Sequence, residues 1–384
     1  MSFKLNKLLR ILLLVVTLAL SACASGNDIF PPAETSTDPA TLELPNPISI
    51  ASDPANSQII VVNSNVDFFF EEGTMAAIEV DASDPNAPAL TATAVVVTPS
   101  FGGQIVFDGA SAYVPFRESP DDSANDQVKK FTIGDGSISD AATGTTGTNP
   151  FGIALSGASV LVVSDDTLNI FNTDLATTTD VDLTAAENAS IADSDSSHVE
   201  HVTVSAATNR AFVTNRTGKM LVVDLDTNSV SHVINGSLNS RGIATDGVFL
   251  YVVDGNPPAL WVYDPSLLAD PETAPEEIDD SKLVVTTIDL GDDPNGIAVD
   301  AANARAYVAN TNDRNVSVID LTLLEEIGRI SLKDDDTGFE EGKKPFGVAL
   351  GTFSGADLVF VANFGSNTIS VINADTLKVV TSFP

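Results

Sequence analysis

The chain has 384 residues, 53 acidic against 18 basic, a formal net charge of −35 and a single cysteine. That charge repels phosphate backbones and anionic headgroups, so no nucleic-acid partner is expected and surface charge cannot hold the chain to a membrane. One cysteine excludes an internal disulfide and any multi-thiolate metal site.

Lys4, Lys7 and Arg10 precede an apolar run from Ile11 to Leu20 that only Thr17 interrupts, and Leu20-Ser21-Ala22-Cys23 follows. A basic start, a short apolar stretch and small residues before a cut predict a signal peptide over 1–22. The run is shorter than the roughly 20 residues of a membrane span. Leu20-Ser21-Ala22-Cys23 resembles a bacterial lipobox, which implies cleavage before Cys23 and acylation of that residue. An ordinary secretory signal is the alternative. Ala24 next to the cysteine implies, by the same resemblance, sorting to the outer membrane, on its periplasmic or its outer face. An acylated Cys23 leaves no thiol for catalysis, metal binding or haem attachment.

From residue 24 to about 40 the chain is rich in Pro, Ser, Thr and acid, a composition that cannot bury enough surface to order itself. A flexible tether over 23–45 is expected, with the folded body at 46–384.

Beyond it a unit recurs. His201–Val204, Ala211–Asn215 and Met220–Asp224 align with Gly296–Val299, Ala306–Asn310 and Val316–Asp320, and again with Gly347–Leu350, Val359–Asn363 and Ile369–Asn373. Weaker copies begin at Ser49, Gln104, Gly152 and Gly242, so seven anchors stand 41 to 55 residues apart. β-branched and aromatic runs separated by Asn, Asp, Gly and Pro are strands joined by turns, and the second run of each unit is apolar at nearly every position, as in a sheet covered on both faces. This predicts an all-β fold: a single seven-bladed β-propeller of four-stranded antiparallel blades starting near 46, 101, 149, 198, 239, 293 and 344. Lys378–Phe383 and Thr41–Leu44 compete for the outermost place at ring closure, and the C-terminal segment is favoured.

The second-strand ends Phe212-Val213-Thr214-Asn215, Tyr307-Val308-Ala309-Asn310 and Phe360-Val361-Ala362-Asn363 resemble the YVTN repeat of YncE-like and lactonase-like propellers. The likeness covers almost the whole mature chain but fails in the second unit, where Tyr113-Val114-Pro115-Phe116 lacks the Asn. A structural role is expected for that Asn, bonding the backbone of the following turn. Trp261 fits a core position in a third strand.

Strand alternation puts the start of each first strand, the second-to-third loops and the blade links on one face. Long insertions at 64–74, 116–127, 141–149, 184–197 and 333–344 fall there, and the acidic stretch Asp270–Asp280 is expected on the opposite face. Elaborated loops on a rigid scaffold are where function concentrates. Around the channel mouth, units four to six contribute Glu200, His201, Arg241 and Asn295, unit two adds Gln104, and His198 is close in sequence.

Such a group could hold a small polar ligand, with Arg241 on a carboxylate and His201 near neutrality. It could run a lactonase-like hydrolysis, with Glu200 or His201 as general base and Arg241 stabilising an oxyanion. It could also be a solvated rim in which a Glu200–Arg241 ion pair positions blades. Gluconolactonase-type propellers hold calcium with Glu, Asn and Asp. Glu200, His201 and Asn295 are the nearest counterparts, the Asp is missing from the column, and no metal or other cofactor is expected.

The acid runs Asp121-Asp122 and Asp334-Asp335-Asp336 fit no EF-hand loop. Phe68-Phe69-Phe70 either extends a strand or offers an aromatic patch. No nucleophile elbow, P-loop or Rossmann glycine motif is present. The expected function is a membrane-anchored scaffold binding an envelope protein or a small polar ligand, with the hydrolase as the alternative.

Overall fold

The second run of each unit is strongly apolar, and in the computed structural model it is deeply buried: every residue of Gln58–Asn63 is buried, as are Leu358 to Asn363 at the end of the matching strand of the last unit. The structure describes residues 36–42, 44–64, 72–117, 126–184, 199–215, 218–236, 239–271, 275–333 and 342–384. The signal segment with Cys23, most of the tether, Phe68-Phe69-Phe70, Asp121-Asp122, His198, Asp334-Asp335-Asp336 and the side chain of Glu200 lie outside the described residues.

The strands make seven sheets, here called blades 1 to 7, spanning 47–98, 101–145, 153–182, 199–235, 240–289, 294–331 and 345–383. Within each blade the main strands pair antiparallel in chain order, the first lining the central channel. The chain is thus an all-β, seven-bladed propeller. Seven hydrophobic clusters fill the seven junctions between neighbouring blades. The junction of blades 7 and 1 closes the ring, with Phe360 and Val371 packed against Ile59 and Ile78. Phe212, Tyr251, Tyr307 and Phe360 occupy matching second-strand positions, all fully buried, so large aromatic rings recur between blades. Their apolar area is the main cohesive term, because no blade can cover both of its faces alone.

Lys378–Phe383 forms the outer strand of blade 7, paired with Thr368–Asn373. Of the competing segment, the described residues Thr41, Leu42 and Leu44 add no strand. A 3-10 turn spans Pro39–Thr41, and Leu44 is buried in the closing cluster instead. Trp261 is half-buried, stacked on Tyr263 with ring centres 6.3 Å apart.

Three expectations need correction. The stretch at 141–149 is not a long loop, since Ser137–Thr145 is the outer strand of blade 2. The acidic insertion of blade 5 is not simply a loop of the opposite face. Its Glu276–Asp279 runs parallel to Ser229–Asn235 and adds a fifth strand to the rim of blade 4, covering an edge that would otherwise be open. Finally, the YVTN-type Asn bonds the next strand rather than the turn backbone. Asn310 Nδ2 donates to Ser317 Oγ at 2.8 Å, Asn363 Nδ2 to Ser370 Oγ at 2.9 Å and Asn63 Nδ2 to Thr74 Oγ1 at 2.8 Å. In blade 3 the partners trade places, with Ser164, one residue past the second strand, donating to Asn169 on the third.

Candidate functional site

The mouth of the channel is built from a repeated local device. Asn46, Asn149, Asp293 and Lys344 all have left-handed backbones, with φ between 49° and 56°, and each is followed by proline. Asn and Asp tolerate that conformation because their short side chains can bond locally. The carbonyls of Asn46, Asp293 and Lys344 accept from the N–H of Ser64, Thr311 and Phe364, one residue past the second strand. The link is thereby clamped to the loop beside it.

Just inside, the first strand breaks register. Bulges fall between Pro47 and Ser49, Val199 and His201, Ser240 and Ile243, Pro294 and Ile297, and Pro345 and Val348. In blade 2 the strand is split between Phe101–Gly102 and Val106–Phe107. Bulges re-aim side chains. The mouth residues predicted from the alignment, Gln104, Glu200, Arg241 and Asn295, are the ones in or at these breaks.

Close backbone approach then ties the blades together. A Cβ on Gly242 would stand 2.5 Å from the carbonyl oxygen of Asn295, and one on Gly296 would overlap that of Phe346. Glycine is needed there for contact between blades, not for a special dihedral. Gln104 N–H donates across a junction to the carbonyl of Phe151 at 3.0 Å, and Ile105 N–H to Ser49 Oγ at 2.9 Å.

Gln104, His201 and Asn295 line a common cavity of about 480 Å³, the central channel. Its remaining side chains are mostly aliphatic, including Ile50, Ile153, Val202 and Val348, and none of the described lining residues is charged at neutral pH apart from what His201 can carry. The His201 ring is buried and meets the edge or face of Phe151 at 89°, with centres 5.4 Å apart.

Arg241 is adjacent but does not line this cavity. It forms an ion pair with Asp293 at 2.5 Å, and its Nη1 donates to Asn295 Oδ1 at 2.9 Å. Asn295 Nδ2 in turn donates to Thr311 Oγ1 at 2.6 Å, and the Thr311 hydroxyl donates to the Pro345 carbonyl at 2.8 Å. Gly255 leaves room for the guanidinium, since a Cβ there would sit 2.8 Å from Arg241 Nε. Blades 5, 6 and 7 are thus joined by one polar chain through Arg241, Asp293, Asn295 and Thr311.

Asp293 and Thr311 were not among the residues picked out from the sequence. The signal for Asp293 was present in the repeated residue-proline pair at 46, 149, 293 and 344. Thr311 carried none, because its contact crosses a junction. Among the described side chains Asp293 is the carboxylate that engages Arg241, and of Glu200 only the backbone, in the strand Val199–Ser205, is described.

Of the donors named for calcium, His201 and Asn295 have described side chains, and they fit it poorly. Asn295 Oδ1 already accepts from a guanidinium, which places positive charge where a dication would have to sit. Among the described residues no group of three His, Cys, Asp or Glu side chains converges.

No protein-family profile matches the chain, and no curated protein sequence does. Among solved structures it is similar to Hydrazine Synthase of Kuenenia stuttgartiensis, 16% identical, with a TM-score of 0.62 over 87% of this chain and 97% of that one. At that identity the likeness is one of fold, and propellers host unrelated functions.

Proposed function

We propose that the chain is an envelope lipoprotein of the YVTN-repeat, YncE-like group, held at the outer membrane through acylated Cys23, whose propeller is a binding or protein-interaction scaffold. The observation that carries this reading is the channel itself: a cavity of about 480 Å³ with largely aliphatic side chains and a few polar groups, Gln104, His201 and Asn295, at its mouth. The surface this cavity exposes is more polar than apolar, so hydrogen bonding rather than apolar contact would hold a ligand there. The amide of Gln104 can both donate and accept, and the imidazole of His201 can do either according to tautomer. A compact, uncharged polar group is the best match.

The hydrolase reading has less support. It needs a cation free to meet an oxyanion, and Arg241 is already neutralised by Asp293 and bonded to Asn295.

The test is retention of a small molecule or a protein from envelope extracts by the full-length chain in detergent, beside Gln104→Ala and His201→Ala. Retention that both substitutions weaken is expected. An intact chain that retains nothing sinks the binding reading. Lactone turnover abolished by Glu200→Gln and His201→Ala would replace it with the hydrolase. Anchoring is tested separately, by metabolic labelling with palmitate in the wild type and in Cys23→Ser.

A further inference from the structure

A second cavity, of about 450 Å³, opens on the loop-bearing face where blades 6, 7 and 1 meet. Arg314, Lys343 and Lys344 line it together with Asn312, Asn367 and Phe364, and no carboxylate is among its lining residues. The whole chain has 18 basic residues against 53 acidic ones. Three cations around one pocket with no carboxylate among its described lining residues run against that composition.

Two of them also run against the backbone. Lys344 has φ 49°, in the column where Asn46, Asn149 and Asp293 stand in sibling blades. Arg314 has φ 55°, where blade 7 has Asn367 at 56°. Both columns use a left-handed residue for which Asn is better suited than Lys or Arg. The fold therefore holds long cations at positions that its own repeat fills with the short side chains of Asn and Asp.

The cations are placed by the surrounding chain. Gly365 N–H donates to the Lys343 carbonyl and Phe364 N–H to that of Lys344, both at 3.0 Å. The Lys344 stem lies over Gly365, and its ammonium sits 5.8 Å from the centre of the Phe364 ring. Arg314 N–H donates to the Asn310 carbonyl at 3.0 Å. Of the described carboxylates nearby, Asp292 accepts from Asn312 Nδ2 at 3.1 Å, and Asp313 lies 3.7 Å from Arg329. Among the described residues Arg314 and Lys344 have no ion-pair partner.

From this we infer that the pocket binds a small dianion, a phosphate ester or a dicarboxylate. The Arg314 guanidinium fork takes two oxygens of such a group, the Lys344 ammonium neutralises remaining charge, and Phe364 offers an apolar wall. The site is separate from the channel mouth, so its fate is independent of the binding role proposed for Gln104 and His201.

Titration calorimetry of the full-length chain in detergent with inorganic phosphate, pyrophosphate and citrate tests this, beside sedimentation with phosphatidylglycerol vesicles. At least one soluble anion should bind, more weakly as salt rises. Arg314→Gln and Lys344→Gln should each weaken binding about tenfold or more. Lys344→Arg should retain most of it, and Lys378→Gln on the rim should change nothing. Vesicle binding lost in the same two variants, with no soluble anion bound, would assign the phosphate to a lipid headgroup. Absence of binding in every arm, or binding that Arg314→Gln and Lys344→Gln leave intact while their melting temperatures match the wild type, overturns the assignment.

Discussion

Arg241 of blade 5 and Asp293 of blade 6 meet at 2.5 Å across the junction of their blades, their side chains 21% and 26% exposed. Asn295 joins the same guanidinium at 2.9 Å, so one cation holds two groups of the neighbouring blade. Because the pair is partly buried, removing one charge leaves the other poorly solvated, yet water still screens both. Asp293→Asn should cost about 1–2 kcal/mol of stability. Arg241→Gln should cost a similar amount, and the double variant less than the sum of the two. Urea denaturation of the four proteins measures this, and strictly additive losses would show that the pair is not coupled.

Gly296 presses on the next blade, where an added Cβ would overlap the carbonyl of Phe346. Backbone cannot swing aside as a flexible side chain can, so Gly296→Ala should wedge blades 6 and 7 apart and cost about 1–3 kcal/mol. Gly328 is the internal control. It lies in the outer strand Glu325–Ser331, and a Cβ there would meet nothing within 4 Å. Gly328→Ala should be neutral or stabilising by up to about 1 kcal/mol. Thermal melts of the two variants should therefore move in different directions or by clearly different amounts.

The parallel strand Glu276–Asp279 hangs on one apolar side chain. Ile278 is buried with Ile234 and Met220 of blade 4 and Leu268 and Leu283 of the same insertion. Arg210 of blade 4 adds polar anchors, donating to the Leu268 carbonyl at 3.2 Å and pairing with Asp270 at 2.9 Å. Asp270 is almost fully exposed, so that pair adds little, and Ile278 should dominate. Ile278→Ala should destabilise by about 2–4 kcal/mol. Hydrogen exchange should quicken first in Ser229–Asn235, the strand that loses its cover, while the inner strands of blade 4 stay protected.

The ring was legible in the sequence because its signals are local. Strand period, the apolar second run and the spacing of Asn, Gly and Pro recur within each blade, and seven anchors suffice to count the blades. The mouth positions Gln104, His201 and Asn295 were legible for the same reason, since a column in the alignment is a place in the ring. What was missed depends on contacts between blades. Asp293 finds Arg241 only after two sheets are stacked. Glu276-Glu277-Ile278-Asp279 has the composition of a solvated loop, and only its docking on blade 4 makes a strand of it. The pairing of Asn310 with Ser317 and Asn363 with Ser370 was there to be found, because blade 3 exchanges the two residue types at the same two places, Ser164 and Asn169.

His232 gives the fold a pH dependence of known sign. Its side chain is fully buried in the outer strand of blade 4, bonded through Nδ1 to Ser231 Oγ at 3.0 Å and opposite Glu276 of the added strand. Burial first, and then the charge of Arg210, hold its pKa below the usual 6.5, against the opposing pull of Glu276 and Asp270. Below pH 6.5 the unfolded chain therefore takes up a proton that the folded chain resists. The contribution of His232 to stability is full above that value and is lost as the pH falls from 6.5 towards the lowered pKa. Most carboxylates titrate lower still, near pH 4, so the imidazole window can be read separately. The urea midpoint of the wild type should drop between about pH 7 and about pH 5.5, and His232→Gln should flatten that slope while lowering the midpoint at neutral pH. A slope that the substitution leaves unchanged would assign the dependence to other groups.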